Sequence, residues 1–161
     1  MITLIHPEID PVIAPFGLIS IRWYGLSYVL GFIIGYYLIK KINKLLYKPI
    51  KNSVVEEFFI WTALGVIIGG RLGYITFYQT YYLTQEPLHI FYIWKGGMSF
   101  HGGLIGITIS TLIFSYYKKL SFFLLTDLIS TVAPIGIFFG RVANFINVEL
   151  YGRATTFPFA M

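Results

Sequence analysis

The sequence predicts an all-α, polytopic membrane bundle with four spans, on three observations. Hydrophobic types make up 57% of the 161 residues and charged types only 12%, whereas an ordinary soluble domain carries about 25% charged residues. Mean hydropathy is +0.73. Four stretches reach the ~20 mainly apolar residues that a helix needs to cross a bilayer core. The 12 Lys and Arg with 7 Asp and Glu are too few to wet a soluble globule, and the apolar content excludes a disordered chain. The 13 Tyr and 15 Phe suit a membrane interface.

The first span is expected from about Leu18 to Ile39, with Arg22 near its start. The second runs from about Phe58 to Tyr78 and is interrupted by Arg71. The third, Met98 to Tyr117, holds no Asp, Glu, Lys or Arg, and His101 is its only ionisable ring. The fourth runs from Phe122 to about Phe139. Asp127 near its beginning reads as a helix cap or a first-turn charge on the helix dipole, and Pro134 predicts a kink or break. Glycines recur four apart in every span: Gly31 and Gly35, Gly65 to Gly69 to Gly73, Gly102 and Gly106, Gly136 and Gly140. That spacing puts them on one helix face, where missing side chains let helices approach closely. With no longer repeat and no composition shift, residues 1–161 are expected to form a single integral membrane domain.

The lysines set the orientation. Lys40, Lys41, Lys44, Lys48 and Lys51 lie between spans one and two, and Lys118 and Lys119 between spans three and four. The opposite side offers Lys95 and Arg153, and the first seventeen residues carry no Lys or Arg. The positive-inside rule therefore places the N-terminus outside and both Lys-rich loops in the cytoplasm. The net charge of +5 is concentrated in these loops and is not spread along a polar face, so it reads as membrane topology and gives no nucleic-acid partner. The N-terminal stretch lacks the basic start and cleavage pattern of a signal peptide, so span one is expected to stay as an anchor.

Orientation converts sequence positions into depths. Arg22 and Tyr24 fall near the outer end of span one. Arg71 falls about seven residues, or ~10 Å, below the outer end of span two. His101 enters span three from outside, and span four delivers Arg141, Asn144, Asn147 and Glu149 to the outer boundary. Polar residues far apart in sequence are thus expected at one depth. Ionised groups in hydrocarbon normally face a cavity or a partner. Arg22, at a span end, can snorkel to headgroups. Arg71 is too deep for that, leaving pairing or anion binding in a cavity, or hydrogen bonds to carbonyls. His101 is flanked by Gly96, Gly97, Gly102 and Gly103, which let backbone or lipid come close. Between Arg141 and Glu149, a guanidinium, two amides and a carboxylate occupy nine positions. This reads either as a polar helix end with an Arg–Glu pair or as an anionic-headgroup site with Arg141 forking to phosphate.

Several chemistries are excluded. There is no Cys, hence no disulfide, thiolate metal site or cysteine nucleophile. His6, His89 and His101 lack ligand spacing, so no metal is expected. No nucleotide-type phosphate loop, serine elbow or HExxH helix occurs, and no cofactor is expected. The rival to an enzyme is a non-enzymatic membrane subunit or small transporter that holds an anionic lipid or solute with the same arginines. Transporters, however, place their sites near the midplane, whereas these residues fall in the outer half.

Gly140-Arg141-Val142-Ala143-Asn144-Phe145-Ile146-Asn147-Val148-Glu149-Leu150-Tyr151-Gly152 resembles the signature of the prolipoprotein diacylglyceryl transferase family of bacterial inner-membrane enzymes at every defined position. Arg22 to Leu26, Gly69 to Tyr74, Trp94 to Gly103 and the opening His6 to Pro11 are similar to family segments in the same order. The resemblance implies transfer of the diacylglyceryl group of phosphatidylglycerol to the lipobox cysteine thiol of a preprolipoprotein, forming a thioether and releasing glycerol phosphate. It implies the inner membrane as location, and Tyr24, His101, Arg141, Asn144, Glu149 and Gly152 match family positions linked to activity. Members have seven spans, so this chain resembles their N-terminal part. The resemblance leaves open a fragment, a disrupted-gene product or half of an enzyme with a separately encoded C-terminal portion.

The implied chemistry assigns further roles. A free thiol of pKa ≈ 8.5 must lose a proton, and a neutral imidazole of pKa ≈ 6.5 is a suitable base. His101 is therefore expected as base or thiol-positioning group. Arg141, with Arg71, is expected on the phosphate, where charge develops. Asn144, Asn147 and Tyr24 would orient headgroup or peptide, and Glu149 would fix Arg141 or a glycerol hydroxyl.

Overall fold

The first apolar run does not begin as a helix. In the computed structural model, which describes residues 6–7, 9–16, 19–93, 96–150 and 152–153, Val12–Phe16 (β1) and Ile19–Arg22 (β2) pair antiparallel. Val12 lies opposite Arg22 and Phe16 opposite Ile19, with an irregularity between Val12 and Ala14. The Asp10 carboxylate accepts from Val12 N–H at 2.8 Å, an Asx turn that starts the strand. Helix α1 begins only at Trp23. Its first N–H donates to Pro11 O at 3.2 Å, and the Trp23 indole N–H donates to Asp10 O at 3.1 Å. The expected helical start at Leu18 is thus corrected to Trp23, with Arg22 as a strand residue. A continuous apolar run with β-branched residues suits strand or helix equally, and periodicity cannot separate them.

The remaining helices follow the apolar runs. After α1 (Trp23–Asn43) come α2 (Asn52–Tyr78), a single turn α3 (Tyr81–Thr84), a 3-10 turn at Pro87–Phe91, α4 (Phe100–Lys118) and α5 (Phe122–Ile146). Among the described residues three helices, α1, α2 and α5, are long and apolar enough to cross a membrane, in place of the four expected. Helix α4 forms as anticipated but falls short in apolar content. Its 19 residues include His101, three glycines and four Ser or Thr. Helix α5 continues through Pro134 without a break. It starts at Phe122, and Ser121 Oγ accepts from Leu124 N–H at 3.4 Å. Asp127 is therefore beyond the first turn and is not the cap the sequence suggested.

The chain divides into two compact units, residues 39–130 and residues 1–38 with 131–161, the boundaries falling inside α1 and α5. In the first unit, α2 and α4 pack through opposed glycines. A Cβ built on Gly73 would lie 2.7 Å from Gly102 Cα, and one on Gly106 would lie 2.9 Å from Gly69 Cα and run into Gly65 O. Beyond the stripe, Phe58, Phe114 and Leu125 form a buried cluster, with the two rings 5.1 Å apart. Adjacent glutamates of α2 form ion pairs, Glu56 with Lys40 at 2.9 Å and Glu57 with Lys118 at 2.6 Å. The turn between α1 and α2 is closed by Asn43, whose Nδ2 donates to Ile50 O at 2.7 Å and whose Oδ1 accepts from Ile50 N–H at 2.9 Å.

In the second unit, a Cβ on Gly31 would approach Gly136 Cα to 3.2 Å and one on Gly35 would touch Val132 at 3.8 Å. A Cβ on Gly136 or Gly140 would meet nothing within 4 Å. The glycine pairs that look alike in sequence therefore differ in packing.

Candidate functional site

Arg71 and His101 lie in the 39–130 unit, and one loop joins them. Arg71 sits in the last third of α2 and is only 3% exposed. A buried cation is costly unless its donors are all met, and here they are. Nε donates to Ile90 O at 3.1 Å, Nη1 to Gly96 O at 2.6 Å and Gly97 O at 3.2 Å, and Nη2 to His89 O at 2.7 Å. Nη2 also lies 3.4 Å from His89 Nδ1, an acceptor in the Nε2–H tautomer of that ring, in which the five N–H groups of the guanidinium have five acceptors. Of the two roles the sequence left open, the geometry is that of carbonyl binding. The expected direct contact between Arg71 and phosphate finds no donor left to make it. The His89 imidazole is itself stacked on Tyr82, ring centroids 3.7 Å apart.

Beyond that loop, Ser99 starts α4. Its N–H donates to Gly70 O at 2.9 Å and its Oγ accepts from Gly102 N–H at 3.2 Å, an N-cap. His101 follows in the first turn, exposed, its ring edge-to-face with Phe100 at 5.6 Å. No hydrogen bond engages its imidazole among the described residues. Trp94 and Lys95, part of the segment singled out in the sequence, lie outside the described residues.

Tyr24, Arg141, Asn144, Asn147, Glu149 and Gly152 belong to the other unit. Tyr24 is in the first turn of α1, half-buried, its ring edge-to-face with Tyr28 at 5.3 Å. At the end of α5 the chain is closed by three backbone bonds of increasing irregularity: Asn147 N–H to Ala143 O at 2.9 Å, Val148 N–H to Phe145 O at 3.2 Å and Glu149 N–H to Asn144 O at 2.8 Å. Val148 and Leu150 adopt φ of 56° and 53°, a conformation rarely taken by a β-branched residue such as valine. Asn144 is buried, as is Ala143 beside it, and Asn147 keeps its Oδ1 buried without a partner among the described residues. Arg141, one turn earlier, is exposed. No ion pair or hydrogen bond engages its guanidinium among the described residues, and Glu149 is exposed and not paired with it. A Cβ on Gly152 would meet nothing within 4 Å.

His6 is a residue whose placement the sequence did not reveal. Its Nε2 lies 2.7 Å from Phe145 O and its ring 4.6 Å from the Phe145 ring, tying the N-terminal segment to the Asn144–Glu149 helix end. The only signal in the sequence was the resemblance of the opening segment. Among the described residues, no three His, Asp or Glu side chains form a group that could hold a metal ion.

A family model described as prolipoprotein diacylglyceryl transferase matches residues 11–161. Curated relatives are called phosphatidylglycerol–prolipoprotein diacylglyceryl transferase. One from Allorhizobium ampelinum is 45% identical over 162 residues, covering 97% of this chain and 56% of the relative. One from Sinorhizobium medicae is 45% identical over 161 residues, covering 96% of this chain and 58% of the relative. One from Rickettsia bellii is 48% identical over 149 residues, 92% of this chain and 57% of the relative. The chain thus spans a little over half the length of these relatives.

Proposed function

The chain belongs to the prolipoprotein diacylglyceryl transferase family, and on that premise we propose that the protein carrying it transfers diacylglyceryl from phosphatidylglycerol to a lipobox cysteine in a bacterial inner membrane. The observation that carries the proposal beyond family membership is the contrast between two arginines. Arg71 has every donor spent on the loop, whereas Arg141 is exposed with no partner among the described residues, one turn before Asn144. A planar guanidinium held free at a helix end is suited to a phosphate fork.

In this reading His101 takes the thiol proton. The thiolate attacks the glyceryl carbon, a C–S bond forms, the C–O bond to phosphate breaks, and glycerol phosphate leaves with the electron pair. Arg141 stabilises the charge that develops on the phosphate. Asn144, Asn147 and Tyr24 orient headgroup and peptide, and Glu149 faces a glycerol hydroxyl. Gly152 leaves room for lipid, since a side chain there is not excluded by the protein itself. Arg71 contributes through the loop it binds. The N-terminus is periplasmic and the Lys-rich turns cytoplasmic, so the reacting groups act at the outer leaflet.

The test uses membranes containing the full-length protein that carries this sequence, phosphatidylglycerol labelled in its acyl chains, and a peptide with a lipobox cysteine. Label should appear on the peptide thiol and be lost when His101 is replaced by Ala or the cysteine by Ser. Lipid binding or flux without label on the peptide would overturn the proposal.

A further inference from the structure

We infer that Arg71 is a positioning residue, which sets His101 by pinning both ends of the loop that leads into α4. The inference rests on the reading of His101 as the residue that takes the thiol proton. Two of the carbonyls that Arg71 binds, those of His89 and Ile90, precede the 91–95 stretch, and two, those of Gly96 and Gly97, follow it. One side chain anchored in α2 therefore fixes the entry and exit of the loop at a single point. Aiming the exit carbonyls at the guanidinium uses φ of 80° at Gly96 and 81° at Gly97, values that glycine alone adopts readily. At Gly97 a Cβ would also run into the Tyr74 ring.

From that point the chain has little freedom before His101. Ser99 N–H is held by Gly70 O at 2.9 Å and Ser99 Oγ caps α4. The Met98 methyl lies 2.7 Å from where a Gly70 Cβ would sit. Gly70, Arg71 and Tyr74 of α2 thus hold every residue from Gly96 to Ser99, and His101 is two positions on. Lysine cannot replace this arrangement: an ammonium has three donors on one atom, too few and too local for four carbonyls on two sides of a loop. A base displaced by about 1 Å loses on the order of 10²-fold in rate, while a headgroup bound elsewhere is unaffected.

The experiment compares wild type, Arg71→Lys and Gly97→Ala in the full-length protein in nanodiscs of stated phosphatidylglycerol content, with rates expressed per folded molecule. These 161 residues contain no cysteine. With any in the remainder changed to Ser, a spin label on Phe91→Cys, an exposed loop position, reports loop mobility. Both variants should lower kcat by about 10- to 100-fold, leave KM for phosphatidylglycerol within about twofold, and loosen the label. A raised KM with an unchanged kcat and an immobile label would make Arg71 a phosphate ligand and overturn the inference. Reduced thermal stability with normal kcat per folded molecule would make it merely structural and overturn it equally. Should Arg71→Lys fail to fold, Gly97→Ala decides alone, because it leaves the guanidinium in place and disturbs the loop exit together with the Tyr74 ring against it; a normal kcat there is refuting. Wild-type protein that transfers no label would remove the proposed activity, and the spin label would still show whether Arg71 holds the loop.

Discussion

Replacing Gly106 by Ala should separate α2 from α4, and the structure gives the size of the effect. The new methyl would sit 2.9 Å from Gly69 Cα and 3.0 Å from Gly65 C, and would collide with Gly65 O. Carbon atoms at rest need about 3.5 Å, so the helices must part by roughly half an ångström or more there. A gap of that order forfeits about a quarter of each dispersion contact along the stripe, and in lipid no hydrophobic gain between helices compensates for it. Overpacking by one methylene typically costs about 1–3 kcal/mol. Because the atoms in the way are backbone, the cost falls in the upper half of that range, and alanine returns up to about 1 kcal/mol through helix propensity, leaving a net loss near 1–2 kcal/mol. Gly136→Ala is the control, since its Cβ meets nothing within 4 Å and only the propensity gain applies. Thermal unfolding of purified protein in a mild detergent, followed by circular dichroism or by retention of a fluorescent fusion, measures both. Gly106→Ala should melt several degrees lower and Gly136→Ala no lower than wild type. Equal melting of the two variants would refute the claim that the α2–α4 stripe, and not glycine content in general, holds the helices together.

Three further outcomes are expected. Asn43→Ala removes two hydrogen bonds and strands the Ile50 N–H and C=O, which should cost about 2–4 kcal/mol in the same melt. In intact cells an impermeant thiol reagent should label Gln85→Cys and leave Tyr47→Cys, 96% exposed as a tyrosine, unlabelled; the reverse pattern would invert the topology. In the full-length protein Arg141→Lys should lower initial transfer rate by about 10²–10³-fold, the ~3–4 kcal/mol of a donor aimed at developing charge, at matched protein levels. A near-normal rate would leave Arg141 as a helix-end charge without a role in the reaction.

Helical positions and the glycine contacts of α2 with α4 were legible in the sequence because periodicity reports which residues share a helix face. Helix α4 was anticipated within a few residues, and the Gly65–Gly69–Gly73 and Gly102–Gly106 faces do meet. The β1–β2 hairpin was not legible, because Val12 to Arg22 is apolar without a clear period and strand and helix compete equally there. Arg71 shows a different limit. Its partners are backbone carbonyls, which every residue owns, so no residue pattern marks them. His6 binding Phe145 O escapes for the same reason. Asp127 illustrates the sensitivity of capping to register, since a helix start at Phe122 moves it past the turn where a carboxylate meets free N–H groups.

The ion pairs of α2 separate two things that a count of lysines treats as one. Membrane orientation is decided while the helices enter the bilayer, when Lys40 and Lys118 are on segments not yet packed against α2, and positive charge counts there almost regardless of nearby acids. After folding, Glu56 and Glu57 each neutralise one of them. Of the seven lysines that the positive-inside rule counts on one side, these pairs therefore leave five uncompensated to attract anionic lipid, each by about 1 kcal/mol at most. Changing both glutamates to Gln should leave orientation untouched while strengthening adhesion of the Lys-rich turns to acidic lipid, so insertion and lipid affinity can be tuned independently at one turn of one helix.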